Sequence, residues 1–118
     1  MAPVQGGIAM QFLVVTKASA NPGVPVPVTI QLVRKTFEML LEKRDPRIKQ
    51  SWSFAGERAG AMIVEVGSAE ELSDVIASLP FSGITDVSIH ALTTLEQALK
   101  TIKQAEERIA QMAPAMGR

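Results

Sequence analysis

The chain has 118 residues, 47% of them hydrophobic, which is material for one domain with a real core and no more. Twelve basic residues balance twelve acidic ones, so there is no basic field to hold a polyanion, and nucleic acid is excluded as a leading partner. The absence of cysteine removes disulfides, thiolate metal sites and cysteine nucleophiles, and one histidine cannot build a multi-histidine metal centre.

The first nine residues carry Pro3, Gly6 and Gly7 and read as a flexible leader. They lack the basic start and long apolar stretch of a signal peptide. No apolar run approaches the roughly 20 residues needed to span a bilayer, so a soluble cytoplasmic domain without a membrane partner is expected.

The run MQFLVVTK predicts a first strand over 10–17, apolar enough to be covered on both faces. Pro22, Pro25 and Pro27 remove amide donors from 18–27 and make it a loop or extended arm. Ile30, Val33, Phe37, Leu40 and Leu41 recur at helical spacing and predict a helix over 29–44, stopped by Pro46. A second strand follows over 48–55, with Trp52 and Phe54 on one side and Ser51 and Ser53 on the other. GERAG at 56–60 makes a hairpin connection, with two glycines free to take positive φ, and 61–66 is the third strand. Glu57 and Arg58 at this turn are exposed and could reach a cleft mouth.

Ser68 and Glu71 form a capping box ahead of a helix whose apolar stripe is Leu72, Val75, Ile76 and Leu79; Pro80 and Gly83 end it. Val87, Ile89 and Ala91 alternate with Asp86, Ser88 and His90, which predicts a half-buried fourth strand over 84–92. Thr93 or Thr94 then caps a last helix to Met112, with Leu95, Leu99, Ile102, Ile109 and Met112 on one side, and 113–118 is a fraying tail. The single domain thus occupies 10–112.

The order β-α-β-β-α-β-α is an α+β, ferredoxin-like βαββαβ plan with an added C-terminal helix. Right-handed crossovers place both inner helices on one side of the sheet. The other side carries Leu13, Val15 and Ile63 and needs a cover, for which a second copy of the chain is expected. The same alternation puts Glu65, Asp86, Ser88 and His90 on that open side; in the first strand either face fits, with Gln11, Leu13, Val15 and Lys17 the better candidates for it, and in the second a bulge would exchange Trp52 with Ser53. Glu65 and His90 are the candidate proton carriers, since histidine titrates near neutrality and a carboxylate in an apolar cleft rises toward it. Lys17 is the candidate anion clamp, with Trp52 as a wall and Ser53 nearby. The expected strand order, 4-1-3-2, puts the first strand between Glu65 and His90, with Lys17 within reach of both.

Trp52 followed by FAG after one residue, a strand ending in Glu65-Val66, Ser68, a helix closing with Leu79-Pro80, and Asp86 opening the last strand together resemble muconolactone delta-isomerase. The likeness runs over 51–92 and more weakly through the first strand and helix. It implies a dimeric α+β barrel, in which two ferredoxin-like sheets pack face to face, and a cofactor-independent proton shift within an unsaturated lactone. This chain departs from that family at three places. Ser53 stands where the family has arginine, Glu57 where it has histidine, and Ser88 and His90 where it has carboxylates.

The function expected is an isomerase-like activity, needing no cofactor and no metal, on a small lactone or carboxylate in the cleft between two sheets. A non-catalytic small-ligand-binding or assembly protein of the same fold, and a cofactorless monooxygenase, are the alternatives.

Overall fold

A computed structural model describes residues 9–115; the leader through residue 8 and the last three residues of the expected tail lie outside the described residues. The elements are β1 (Met10–Ala18), α1 (Val26–Leu41), β2 (Ile48–Ser53), β3 (Ala59–Val66), α2 (Ala69–Ala77), β4 (Thr85–Leu92) and α3 (Leu95–Ala115), with a short 3-10 turn at Ser82–Ile84 before β4. The four strands form one antiparallel sheet in the order β2-β3-β1-β4. This is the α+β, ferredoxin-like plan read from the sequence, with α3 appended.

The core lies between the sheet and the two inner helices. Val14 of β1 and Met62, Val64 and Val66 of β3 point to one side of the sheet, where they meet Leu72, Val75 and Leu79, with Phe81 and Ile84 closing the end. Alternation places Phe12 and Val14 of β1 on the same side as Met62, Val64 and Val66 of β3, opposite Leu13, Val15 and Ile63. Helix α2 starts as the capping box requires. Ser68 Oγ accepts from the Glu71 amide at 3.1 Å, and Glu71 Oε1 reaches back to the Gly67 amide at 2.7 Å.

Helix α1 departs from expectation in both extent and rotation. It begins at Val26 rather than Thr29, with Pro27 in its first turn, where the missing amide donor costs nothing. It ends at Leu41, and Lys43 then takes a left-handed conformation at φ 53° ahead of Pro46. Its core-facing residues are Leu32, Val33, Thr36, Met39 and Leu40. Ile30, Phe37 and Leu41, expected inside, are exposed. Thr36 is fully buried. Its hydroxyl donates to the Leu32 carbonyl at 2.9 Å and accepts from the Phe81 amide at 3.1 Å, so a polar side chain sits in the core with both bonds made.

Two further differences concern β2 and β4. A register shift between Ile48 and Gln50 leaves Trp52 on the open side, opposite Ala61, where a wall was expected, but puts Ser51 and Ser53, expected near that cleft, on the helix side, opposite Met62 and Gly60. Val87 and Ile89 of β4 do face the helix side, opposite Thr16 and Val14, yet both remain exposed because neither inner helix reaches over this edge strand. Helix α3 is capped by Thr94, whose hydroxyl accepts from the Gln97 amide at 3.0 Å. It runs away from the sheet and gives the chain a longest dimension of 66 Å. None of the described helices is long and apolar enough to cross a membrane.

Candidate active site

Strand register fixes what shares the open side of the sheet. Gln50, Ile63, Leu13 and His90 form one row across it, and Trp52, Ala61, Val15 and Ser88 form the next. Glu65 lies opposite Gln11, and Lys17 lies opposite Ala59 and Asp86 at the far end. Glu65 and His90 therefore share a side, as expected. They are separated by β1 and by a slip of two residues, so their Cα atoms stand roughly 12 Å apart and they make no hydrogen bond to each other.

Each of the two has other neighbours. Glu65 Oε2 accepts from Gln11 Nε2 at 3.1 Å, and its Oε1 lies 3.9 Å from Lys49 Nζ. His90 Nε2 lies 3.5 Å from Ser88 Oγ. Lys17 sits six residues along β1 from Gln11, about 20 Å at strand rise. It is thus not within reach of both Glu65 and His90, because the antiparallel register puts it at the other end of the strand.

Among the described residues, a cavity opens on the opposite side of the sheet, beneath α1. Its volume is about 600 Å³, within the range of small-molecule sites. The walls are apolar: Val33, Phe37 and Leu40 from α1, Met62 from β3, and Phe81 and Ile84 from the segment before β4. Uncharged polar groups come from several elements: Thr16 of β1, Ser19 after it, Thr29 of α1, Ser53 of β2 and Thr85 of β4. Thr16 is buried, Thr85 half-buried and Ser53 exposed, and among the described residues the charged ones on the lining are Glu57 and Arg58, both exposed. An apolar chamber with a small convergent polar set is the usual form of a ligand site.

The hairpin that carries Glu57 and Arg58 is held in place by backbone bonds. Phe54 N–H donates to the Ala59 carbonyl at 2.9 Å, and the Arg58 carbonyl accepts from Ala18 N–H at 2.9 Å. Gly56 supplies positive φ at 80°. Gly60 acts differently from the expectation that it too would supply positive φ. A Cβ placed on it would lie 2.6 Å from the Trp52 carbonyl oxygen, so glycine is needed for the two strands to approach.

Of the five residues singled out from the sequence, Ser53 lines this cavity from the helix side, and Trp52 borders it at the sheet end although its register position is on the open side; Lys17, Glu65 and His90 do not. Glu57 and Arg58, which the sequence puts at a turn able to reach the mouth of a cleft between sheets, instead line this helix-side cavity. Thr16, Ile30 and Phe37 were not foreseen there. The signal for the hairpin was nevertheless present, because Ser53 and Glu57 are two of the positions where the chain departs from the family it resembles, and both fall on the cavity wall.

A ferredoxin-like α+β sheet with a helix-side cavity, its charged residues on the central hairpin, defines the class. The muconolactone delta-isomerase sequence profile matches residues 10–98, and the chain belongs to that family. A crystal structure of muconolactone isomerase is similar at 24% identity and a TM-score of 0.58, over 72% of this chain and 90% of that one. The leucine response regulatory protein of Mycobacterium tuberculosis aligns at 18% identity and a TM-score of 0.44, over 72% of this chain and 51% of that one. No curated protein matches the sequence.

Proposed function

We propose that this protein is a cofactor-independent isomerase that moves a proton within an unsaturated lactone or carboxylate held beneath α1. The observation that carries the reading is the apolar cavity whose charged residues among those described, Glu57 and Arg58, stand together on the β2–β3 hairpin, in a chain of the muconolactone delta-isomerase family. The apolar walls receive the body of the substrate and exclude water. Arg58 offers a planar pair of donors to a carboxylate.

The Glu57 carboxylate takes a proton from the carbon beside the carbonyl. The C–H electron pair passes into the carbonyl, giving an extended enolate whose oxygen accepts from Arg58 or the Ser53 hydroxyl. Glu57, exposed at the cavity mouth, exchanges that proton with solvent and delivers one to the far carbon of the enolate, so the double bond moves and no atom is gained or lost. Glu57 thus stands in for the histidine of the resembled family, and Arg58 for its arginine at Ser53.

The open side of the sheet serves assembly in this reading. Leu13, Val15, Ile63 and Trp52 make an apolar centre, rimmed by Lys17, Glu65 and His90. A second copy laid on it would bury an interface on the order of 2,000 Å².

Deuterium exchange from solvent into an unsaturated γ-lactone carboxylate, followed by NMR, separates the readings. The wild-type protein should exchange the substrate, Glu57→Gln should lower the rate by about 100-fold or more, and Glu65→Gln should leave it nearly unchanged. Loss of exchange in Glu65→Gln with retention in Glu57→Gln would move the chemistry to the cleft between sheets. Binding without exchange in the wild type would make the protein a non-catalytic binder.

A further inference from the structure

Helix α3 ends beyond the part of the chain that the isomerase family shares, since the profile stops at residue 98 and the helix continues to Ala115. It is amphipathic, and its apolar side is bare. Leu95 is 88% exposed, Ile102 59%, Ile109 66% and Met112 54%. No described helix or strand packs along it. The chain's radius of gyration of 19.8 Å exceeds the value of about 13 Å for a compact domain of this length because α3 projects from the body.

The bare side has a definite period. Leu95, Ile102 and Ile109 occupy one position of a seven-residue repeat, and Ala98, Ala105 and Met112 occupy the position three residues on. Large side chains alternate with small ones along the seam. Two such helices laid parallel and in register would set alanine against alanine and isoleucine against isoleucine, leaving gaps at Ala98 and Ala105. Laid antiparallel, the same helices bring Ala98 against Ile109, Ile102 against Ala105 and Leu95 against Met112, so each alanine meets a large partner and the seam fills evenly.

Charge selects the same orientation. Glu96, Lys100 and Lys103 give the first half of the helix a net charge of +1, and Glu106, Glu107 and Arg108 give the second half −1. Antiparallel pairing sets unlike halves together and opposes the helix dipoles; parallel pairing does neither.

We propose that α3 pairs with α3 of a second copy as a two-fold symmetric antiparallel helix pair. The pair buries less than a stable interface alone requires, about 1,200 Å². It therefore acts as a second self-association surface beside the sheet. It does not rest on the catalytic reading, because no residue of the cavity takes part.

The chain has no cysteine, so introduced thiols report on the pair without background. Ala98→Cys with Ile109→Cys in the same full-length chain should give a covalent dimer on mild oxidation, seen on a non-reducing gel. Within one helix these positions are about 16 Å apart and cannot bridge. Each single variant should stay uncrosslinked, because like positions are distant in the antiparallel pair. A dimer from Ala98→Cys alone would show parallel pairing, and no crosslink in the double variant would show that α3 docks elsewhere; either result overturns the proposal. Ile102→Asp in the double variant should abolish the crosslink, and its persistence would equally count against a packed seam.

Discussion

Arg47 holds Asp45 with two hydrogen bonds, Nε to Oδ1 at 2.9 Å and Nη2 to Oδ2 at 2.8 Å, and lies 3.6 Å from Glu71 at the start of α2. The contact ties the connection after α1 to the first turn of α2. The Arg47 side-chain bonds hold the Asp45 carboxyl below its ordinary value of 3.8, against a smaller opposing effect of burial. A carboxyl depressed on folding stabilises the folded state above its unfolded pKa, and the contribution is lost as pH falls through the folded value. Asp45→Asn should therefore cost about 1–2 kcal/mol at neutral pH. In urea melts at successively lower pH, the gap to wild type should close below the ordinary carboxylate range. A gap that stayed constant with pH would show that the contact is not ionic in origin.

At the scale of elements, the β2–β3 hairpin does most to shape the site. It carries Ser53, Glu57 and Arg58, and its strands come together only because Gly60 has no side chain. Gly60→Ala should push the Trp52 carbonyl away and cost about 1–3 kcal/mol, seen as a lower melting temperature together with altered Trp52 fluorescence. An unchanged melt would mean that the strands have slack at this point.

The faces of β3 and β4 were legible in the sequence, because a period of two admits only two assignments and their apolar residues choose between them, whereas β1 is apolar on both sides and only its pairing with β3 and β4 decides. The faces of α1 were not. Two stripes at helical spacing compete along it, Ile30–Phe37–Leu41 and Leu32–Thr36–Met39, and the polar Thr36 at the centre of the second disguised the one that packs. In β2, the shift after Ile48 decided between Trp52 and Ser53, and nothing in the residue types marks it. The cavity was also hidden, because it exists only through how far α1 stands from the sheet, a matter of tertiary packing.

The whole molecule presents more apolar surface than one copy covers. The open side of the sheet holds Leu13, Val15 and Ile63; the helix side leaves Val87 and Ile89 bare; and α3 carries a stripe with no partner. Such an excess is what the proposed self-association would cover. The two sides of the sheet would then divide the work, with ligand beneath α1 and a second copy on the opposite side.

Which side receives the ligand is the claim on which the account turns, and amide chemical-shift mapping tests it most directly. Titration of the wild-type protein with an unsaturated γ-lactone carboxylate should move the amides of Thr16, Phe37, Ser53, Glu57 and Arg58, which border the cavity. The amides of Leu13, Glu65 and His90 should stay in place. Shifts confined to Leu13, Glu65 and His90, with the hairpin and α1 unmoved, would contradict it.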